Sequence, residues 1–172
     1  VRYKVMTAPE KSNEKKGKIT ICDIDENKLL VSTKVIKISP KEKVKTIESA
    51  DVIVAVGRAF KTKDELNLAK ELADALGAEI ACTRPMVEAS LIDPKCQIGL
   101  SGRTVRPKLI ITLGISGSVQ FSAGMNNADY IFAINKDENA PIFDVADYGI
   151  VGDLNKIVPA LTEQIKAAKA AK

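Results

Sequence analysis

Asp51-Val52-Ile53-Val54-Ala55-Val56-Gly57 is the stretch on which the fold turns. It is a short, continuous apolar run, rich in β-branched residues, that ends on glycine. No polar residue alternates within it, so it reads as a strand buried on both faces, as in a parallel sheet covered by helices. The residues after it support that reading. Thr62 with Glu65 three residues on is a capping box. Leu68, Ala69, Leu72, Ala75 and Leu76 then mark one helical face, and Gly77 supplies the stop. A strand is therefore succeeded directly by an amphipathic helix.

The same alternation continues toward the C-terminus. Ala78–Cys82, Leu109–Leu113 and Tyr130–Ile134 are further strands, and Pro141–Val145 reads as a short fifth. Leu154, Ile157, Val158, Leu161 and Ile165 give a last amphipathic helix, interrupted or restarted at Pro159. Strand–helix alternation implies an α/β fold: a mainly parallel sheet with right-handed crossovers and helices on both faces. Ligands of such sheets bind beyond the carboxyl ends of the strands. Those ends hold Gly57-Arg58, Thr83-Arg84, Gly114-Ile115-Ser116-Gly117 and Asn135-Lys136-Asp137. Polar and glycine residues collect there and not in the strand bodies.

Before residue 50 the pattern differs. Val1–Met6 reads as an extended piece, and residues 7–17 are polar. Lys18–Ile24 and Leu29–Ile38 alternate apolar and polar around Asp25-Glu26-Asn27, the mark of a β-hairpin. Pro40 and its lysines make a linker. The expected division is 1–49, a remnant of a preceding domain plus hairpin and linker, and 50–172, the main domain. Because the chain begins at Val1, it reads as a fragment of a longer protein.

Composition narrows the function classes. Residues 1–50 hold 12 Lys/Arg and 7 Asp/Glu, whereas residues 51–172 hold 14 and 15, so the net charge of +4 originates in the first third. That region suits an acidic partner or a solvated linker. Aromatics are 4% of the chain and do not interleave with the lysines, which argues against nucleic-acid stacking. There is no His and no Cys-x-x-Cys pair, so a zinc site lacks ligands. Three widely spaced cysteines (Cys22, Cys82, Cys96) argue against a disulfide framework and for a reducing compartment, expected to be cytoplasmic. No apolar run approaches the ~20 residues of a membrane span, and no membrane insertion is expected.

Taken singly, the strand-end motifs leave alternatives open. Gly114-Ile115-Ser116-Gly117-Ser118-Val119-Gln120 comes after a strand and opens a helix. It reads equally as a phosphate cradle and as a tight turn without ligand. It is not a nucleophile elbow, because Ser118 stands where the second glycine would be and no His exists to act as base. Pro85 biases Arg84 toward an extended backbone that would carry its guanidinium past the sheet edge. There it could neutralise an anion, or it could simply make a surface salt bridge. Arg58 has the same two readings. Gln97-Ile98-Gly99-Leu100-Ser101-Gly102 reads as a plain loop, and Asp153 as the cap of the last helix. Together these motifs point to a nucleotide-type ligand.

Read in order, Val56-Gly57-Arg58, Thr83 to Glu88, Gln97 to Gly102, Gly114 to Gln120, Ala133 to Asp137, Ala140 to Phe143 and Val145 to Val151 resemble the C-terminal domain of the electron transfer flavoprotein α subunit over about residues 50–170. Val1–Met6 looks like the last edge of that family's preceding domain. The resemblance implies a Rossmann-like FAD-binding domain, a β-subunit partner, and a flavin-dependent dehydrogenase as electron source. It also implies a redox carrier with no catalytic residues, no metal, and no substrate turnover of its own. By position, Arg58, Thr83 and Arg84 would sit beside the flavin, with Arg84 over the ring. Ile98, Gly99, Leu100 and Ser101 would line the ring, with the Ser101 hydroxyl toward N5. Ser116, Gly117, Ser118, Val119, Gln120 and Phe121 would contact the pyrimidine side and the chain to the phosphates. Asn135, Asp153 and Leu154 would hold the adenosine half. In one place the chain departs from the pattern: the family usually has His where this chain has Phe121, and Phe supplies no donor to the flavin C2 carbonyl. The competing reading is an FAD- or NAD-binding module of similar fold whose nucleotide is structural or a substrate. A third, an interaction module led by the basic N-terminal region, rests on charge alone.

Overall fold

The computed structural model describes residues 46–171, together with residues 10, 11, 14, 17–23, 25, 33 and 35–39. The chain divides into two compact units, one of residues 7–44 and one that contains residues 45–172. In the first unit every described residue is exposed and none lies in a helix or strand. Of the expected hairpin, residues 18–23, 33 and 35–38 are described and carry no strand; residues 24, 29–32 and 34 lie outside the described residues, as do Val1–Met6 and Pro40.

The second unit is a five-stranded sheet, all pairs parallel, built from β1 (Val52–Val56), β2 (Glu79–Cys82), β3 (Leu109–Leu113), β4 (Ile131–Asn135) and β5 (Tyr148–Val151) in the order β2-β1-β3-β4-β5. The helices are α1 (Leu66–Leu76), α2 (Arg84–Glu88), α3 (Val119–Ser122) and α4 (Leu154–Ala170). Chain order reverses between β1 and β3, which makes that gap the topological switch point.

The continuous apolar strands are explained by two cores, one on each face. Val54, Val56, Ile111, Leu113 and Ile134 pack with Leu66, Ala69 and Leu72 of α1 and Val158 of α4. Ile53, Ala55, Ile110 and Ala133 pack instead with Ile98, Phe121, Met125 and Ile142. On this second face one register row reads Ala81, Ala55, Thr112, Ala133 and Gly149 across all five strands. Small side chains there let bulky residues of the short α3 and its neighbouring loops settle onto the sheet. The two layers are therefore unequal: α1, α2 and α4 cover one face, and α3 with loops covers the other.

The capping box forms as expected. Glu65 N–H donates to Thr62 Oγ1 at 3.3 Å and Thr62 N–H to Glu65 Oε2 at 3.4 Å, with α1 proper starting at Leu66. Two expectations need correction. Pro141–Asp144 is a 3-10 turn, and the fifth strand is Tyr148–Val151. Proline at the start of Pro141–Asp144 has fixed φ and no N–H, which favours a turn over a ladder. Tyr148-Gly-Ile-Val instead pairs with Phe132–Asn135 and forms an exposed sheet edge. Pro159 does not interrupt α4, which runs for 17 residues. It removes only the N–H that would have bonded the Asn155 carbonyl.

Candidate functional site

The switch point is built by close approach of two loops. A Cβ on Gly57 would lie 2.4 Å from the Gly114 carbonyl oxygen, and one on Gly114 (φ +60°) would lie 2.2 Å from Ala59 Cβ. Glycine at both positions lets the exits of β1 and β3 touch. Beyond them opens a cleft of about 970 Å³ along the carboxyl ends of the strands. This is at the upper end of small-molecule sites. Its apolar walls come from Phe60, Pro85, Ile115, Ala140, Pro141 and Leu154.

Of the residues singled out from sequence, Arg58, Thr83, Ser116, Ser118, Asn135, Asp153 and Leu154 line this cleft. Asp153 caps α4, accepting Asn155 N–H at 2.9 Å. Asn135 is buried; its Nδ2 donates to the Ile115 carbonyl at 2.9 Å and its Oδ1 accepts Asp137 N–H at 3.1 Å. Asn135 thus ties the β3 and β4 exits together. Thr83 caps α2 with an extended backbone, yet its side chain makes no capping bond. Its Oγ1 is buried at the cleft wall without a hydrogen-bond partner among the described residues. A buried hydroxyl left unpaired costs about 1–3 kcal/mol, and a ligand in the cleft would supply the missing partner.

Charge around the cleft is unevenly committed. Its three acids are held locally: Glu65 by Lys61 and Thr62 N–H, Asp137 by Asn139 N–H, and Asp153 by Asn155 N–H. Its three cations, Arg58, Lys61 and Lys136, make no ion pair or side-chain hydrogen bond among the described residues. The cleft lining is thus formally neutral, with three cations that make no ion pair among the described residues and one buried hydroxyl that lacks a partner there, a set of donors suited to a polar, partly apolar ligand. Lys61 and Lys136 were not among the site residues expected from sequence. Lys136 already stands in the strand-end run Asn135-Lys136-Asp137, and Lys61 lies three residues past Arg58, where the same rule reaches it once that loop is traced further.

The other sequence-derived residues lie outside the cleft lining. Arg84 is the first residue of α2, so the extended backbone expected of it falls instead on Thr83 (φ −84°, ψ 160°). Pro85 is accommodated in the first helical turn, where its missing N–H costs nothing. Arg84 Nε pairs with Glu88 Oε1 at 2.8 Å, with the two side chains 67% and 59% exposed. Gly117 (φ +87°) has its open side filled by protein, since a Cβ there would lie 2.2 Å from Ile142 N. Val119 and Leu100 are exposed, and Leu100 N–H donates to the Gln120 carbonyl at 2.9 Å, joining the 97–102 loop to α3. Within that loop Gln97 Nε2 donates to Ser101 Oγ at 3.0 Å, next to the buried Ile98 and to Gly99. Phe121 is 4% exposed and packs in the core with Ile98 and Met125. Where a His was the family norm, this chain has a core side chain.

Comparison with known proteins agrees with the geometry. Residues 46–126 match the family described as the electron transfer flavoprotein FAD-binding domain. The chain is 52% identical over 166 residues to the lactate dehydrogenase (NAD(+),ferredoxin) subunit LctC of Acetobacterium woodii, covering 96% of this chain and 40% of that protein. It is 46% identical over 170 residues to an electron transfer flavoprotein subunit alpha of Thermoanaerobacterium thermosaccharolyticum, covering 98% and 52%. It is 43% identical over 164 residues to the protein FixB of Azotobacter vinelandii, covering 94% and 46%. The α/β domain with a cleft at its switch point is thus an electron transfer flavoprotein FAD-binding domain. The chain belongs to the electron transfer flavoprotein α family and spans about half the length of the curated relatives it matches. No helix among the described residues is long and apolar enough to cross a membrane.

Proposed function

We propose that this chain binds FAD in the cleft at the carboxyl ends of its strands and serves as the flavin domain of an electron-transferring complex. The observation that carries the reading is the buried Thr83 Oγ1, without a partner among the described residues, in a cleft lined by three cations that make no ion pair there. Bound there, FAD would supply reversible electron transfer, and the protein would supply binding, orientation and charge. Arg58 and Thr83 would hold the flavin end, with Arg84 and the Ile98–Ser101 loop beside it. Ser116 and Ser118 would face the central part of the ligand. Asn135 would hold the adenosine end through the loops it joins, together with Asp153 and Leu154. Free cations near a reduced flavin favour its added negative charge. In the whole protein the partners would be a β subunit and a flavin-dependent dehydrogenase, with electrons passed on and no substrate turned over by this chain.

The test is reconstitution of the purified chain with FAD, monitored by absorbance during stepwise reduction. A tightly bound yellow cofactor that bleaches on reduction and recovers on oxidation is the expected result. Failure to retain FAD at micromolar concentrations, with the fold intact by circular dichroism, would refute the reading.

A further inference from the structure

We propose that Cys82 and Cys96 are a redox-active dithiol, closed to a disulfide by exchange with a low-molecular-weight disulfide such as oxidised glutathione and reopened by thiols. The pair stands apart from the FAD reading and does not depend on it. Cys82 ends β2 and Cys96 ends the 3-10 turn Pro94–Cys96, and both are free thiols. The fold brings them together. Cys82 forms an isolated parallel bridge with Gln97, and its carbonyl accepts Ile98 N–H at 2.9 Å. Residues bridged in this way lie about 4.8 Å apart, and Cys96 is one peptide step of about 3.8 Å back from Gln97. Set at right angles, these two steps put the Cα atoms of Cys82 and Cys96 roughly 6 Å apart, within the span of a disulfide, about 4.4–6.8 Å. Both side chains pack in the apolar layer that α1 and α4 cover. Cys82 is a fully buried member of it, and Cys96 lies half-buried against it.

The two thiols have unequal roles. Burial pushes both up, and Cys96 is the next cause at Cys82, ahead of Asp93. Only at Cys96 do cations, Arg103 and Lys95, oppose the rise, and only Cys96 of the two reaches solvent. Cys96 is therefore the attacking thiol. Its thiolate displaces one thiolate from the small disulfide and is left as a mixed disulfide. The Cys82 thiol then loses its proton to water, attacks the Cys96 sulfur and expels the second small thiolate. Two protein thiols are oxidised by two electrons, and the small disulfide is reduced to two thiols. Cys82 meets only the sulfur beside it, so it needs no path to solvent. Its scarce thiolate makes the second step slow, and faster as pH rises. Disulfides of reducing compartments are usually transient and redox-sensing. The ring closed here would hold residues 83–95, which begin with Thr83 at the cleft wall, so oxidation acts on backbone next to the ligand site.

The experiment uses the full 172-residue chain carrying Cys22→Ser, which leaves Cys82 and Cys96 as its only cysteines. The folded protein is incubated with oxidised glutathione at about pH 8 and at about pH 9. Remaining thiols are alkylated, and intact mass and peptide maps are read. The expected product has lost two hydrogens, retains no glutathione, carries a Cys82–Cys96 cross-link that dithiothreitol reverses, and forms faster at the higher pH. Closing a ring of about 15 residues should raise the thermal midpoint by up to about 10 °C. With Cys82→Ser added, the reaction should stop at one glutathione on Cys96. A folded Cys22→Ser protein that keeps glutathione on Cys96, or keeps both thiols, would overturn the assignment, and so would a cross-link that forms only in urea.

Discussion

Gly117 offers the sharpest test of how the β3 exit is built. Its φ is +87°, and a Cβ there would lie 2.2 Å from Ile142 N, 2.5 Å from Ile142 Cα and 2.8 Å from the Pro141 carbonyl carbon. All three are backbone atoms, and Ile142 is fully buried while its N–H donates to the Ser116 carbonyl at 3.0 Å. The neighbour has nowhere to move. Gly77 provides the control, with φ +72° and nothing within 4 Å of where a Cβ would stand. Gly77→Ala should therefore cost only left-handed strain, about 1–2 kcal/mol. Gly117→Ala should cost the same strain plus about 1–3 kcal/mol for forced displacement of packed backbone. For a chain of 172 residues, this difference should separate the two midpoints by about 2–12 °C. The assay is thermal and urea denaturation of the ligand-free protein, monitored by circular dichroism at about 222 nm, where helical amides absorb. Equal destabilisation in the two variants would show that the Gly117–Ile142 contact is not tight. A Gly117→Ala protein that is stable when ligand-free but has lost FAD would restore the glycine to the ligand, against the geometry described.

Three further outcomes concern a buried hydroxyl, the cysteines and one carboxylate. Thr112 is 1% exposed in the middle of the sheet and its Oγ1 has no partner among the described residues, so Thr112→Val should raise stability by about 1–3 kcal/mol in urea denaturation; a loss would reveal a hidden partner for the hydroxyl. The Cys82 thiol is pushed up to about 12, by burial first and then by Cys96 and Asp93, and burial together with Asp93 also raises Cys96. At about pH 8, just below the ordinary thiol range, a thiol reagent should thus modify exposed Cys22 fast, Cys96 slowly, and Cys82 only on unfolding. Burial raises the Glu48 carboxyl, but the hydrogen bond from Arg103 and nearby groups outweighs it and holds it below its usual value. A depressed folded pKa contributes stability above the unfolded value, near 4.5, and that contribution is lost as pH falls through the folded value. Glu48→Gln should therefore flatten the acid limb of the stability profile below about pH 4.5. An unchanged limb would exclude the pair.

Sequence alone determined the parallel α/β sheet. Runs such as Val52–Val56 and Leu109–Leu113 are apolar at nearly every position because both of their faces are covered, and that pattern needs no coordinates to read. Local chemistry was equally legible. The Thr62–Glu65 box and the Asp153 cap bond residues three and two apart, so short spacing carries the whole interaction. The strand-end rule found the edge on which the cleft opens. Residue 85 marks the limit of local reasoning: Pro85 favours an extended Arg84, but burial of Met86 and the backbone bonds of α2 win, and the arginine begins a helix. Pro141–Val145 reads as a strand until Tyr148–Val151 is seen to take the edge beside β4. Only tertiary structure decided which strand-end residues face the cleft. Gly117 and Phe121 are spent on Ile142 and the core, whereas Lys61 and Lys136 line the cleft and make no ion pair among the described residues. The physical reason is that free charge and filled space depend on partners far apart in sequence, brought together when β1, β3 and β4 pair.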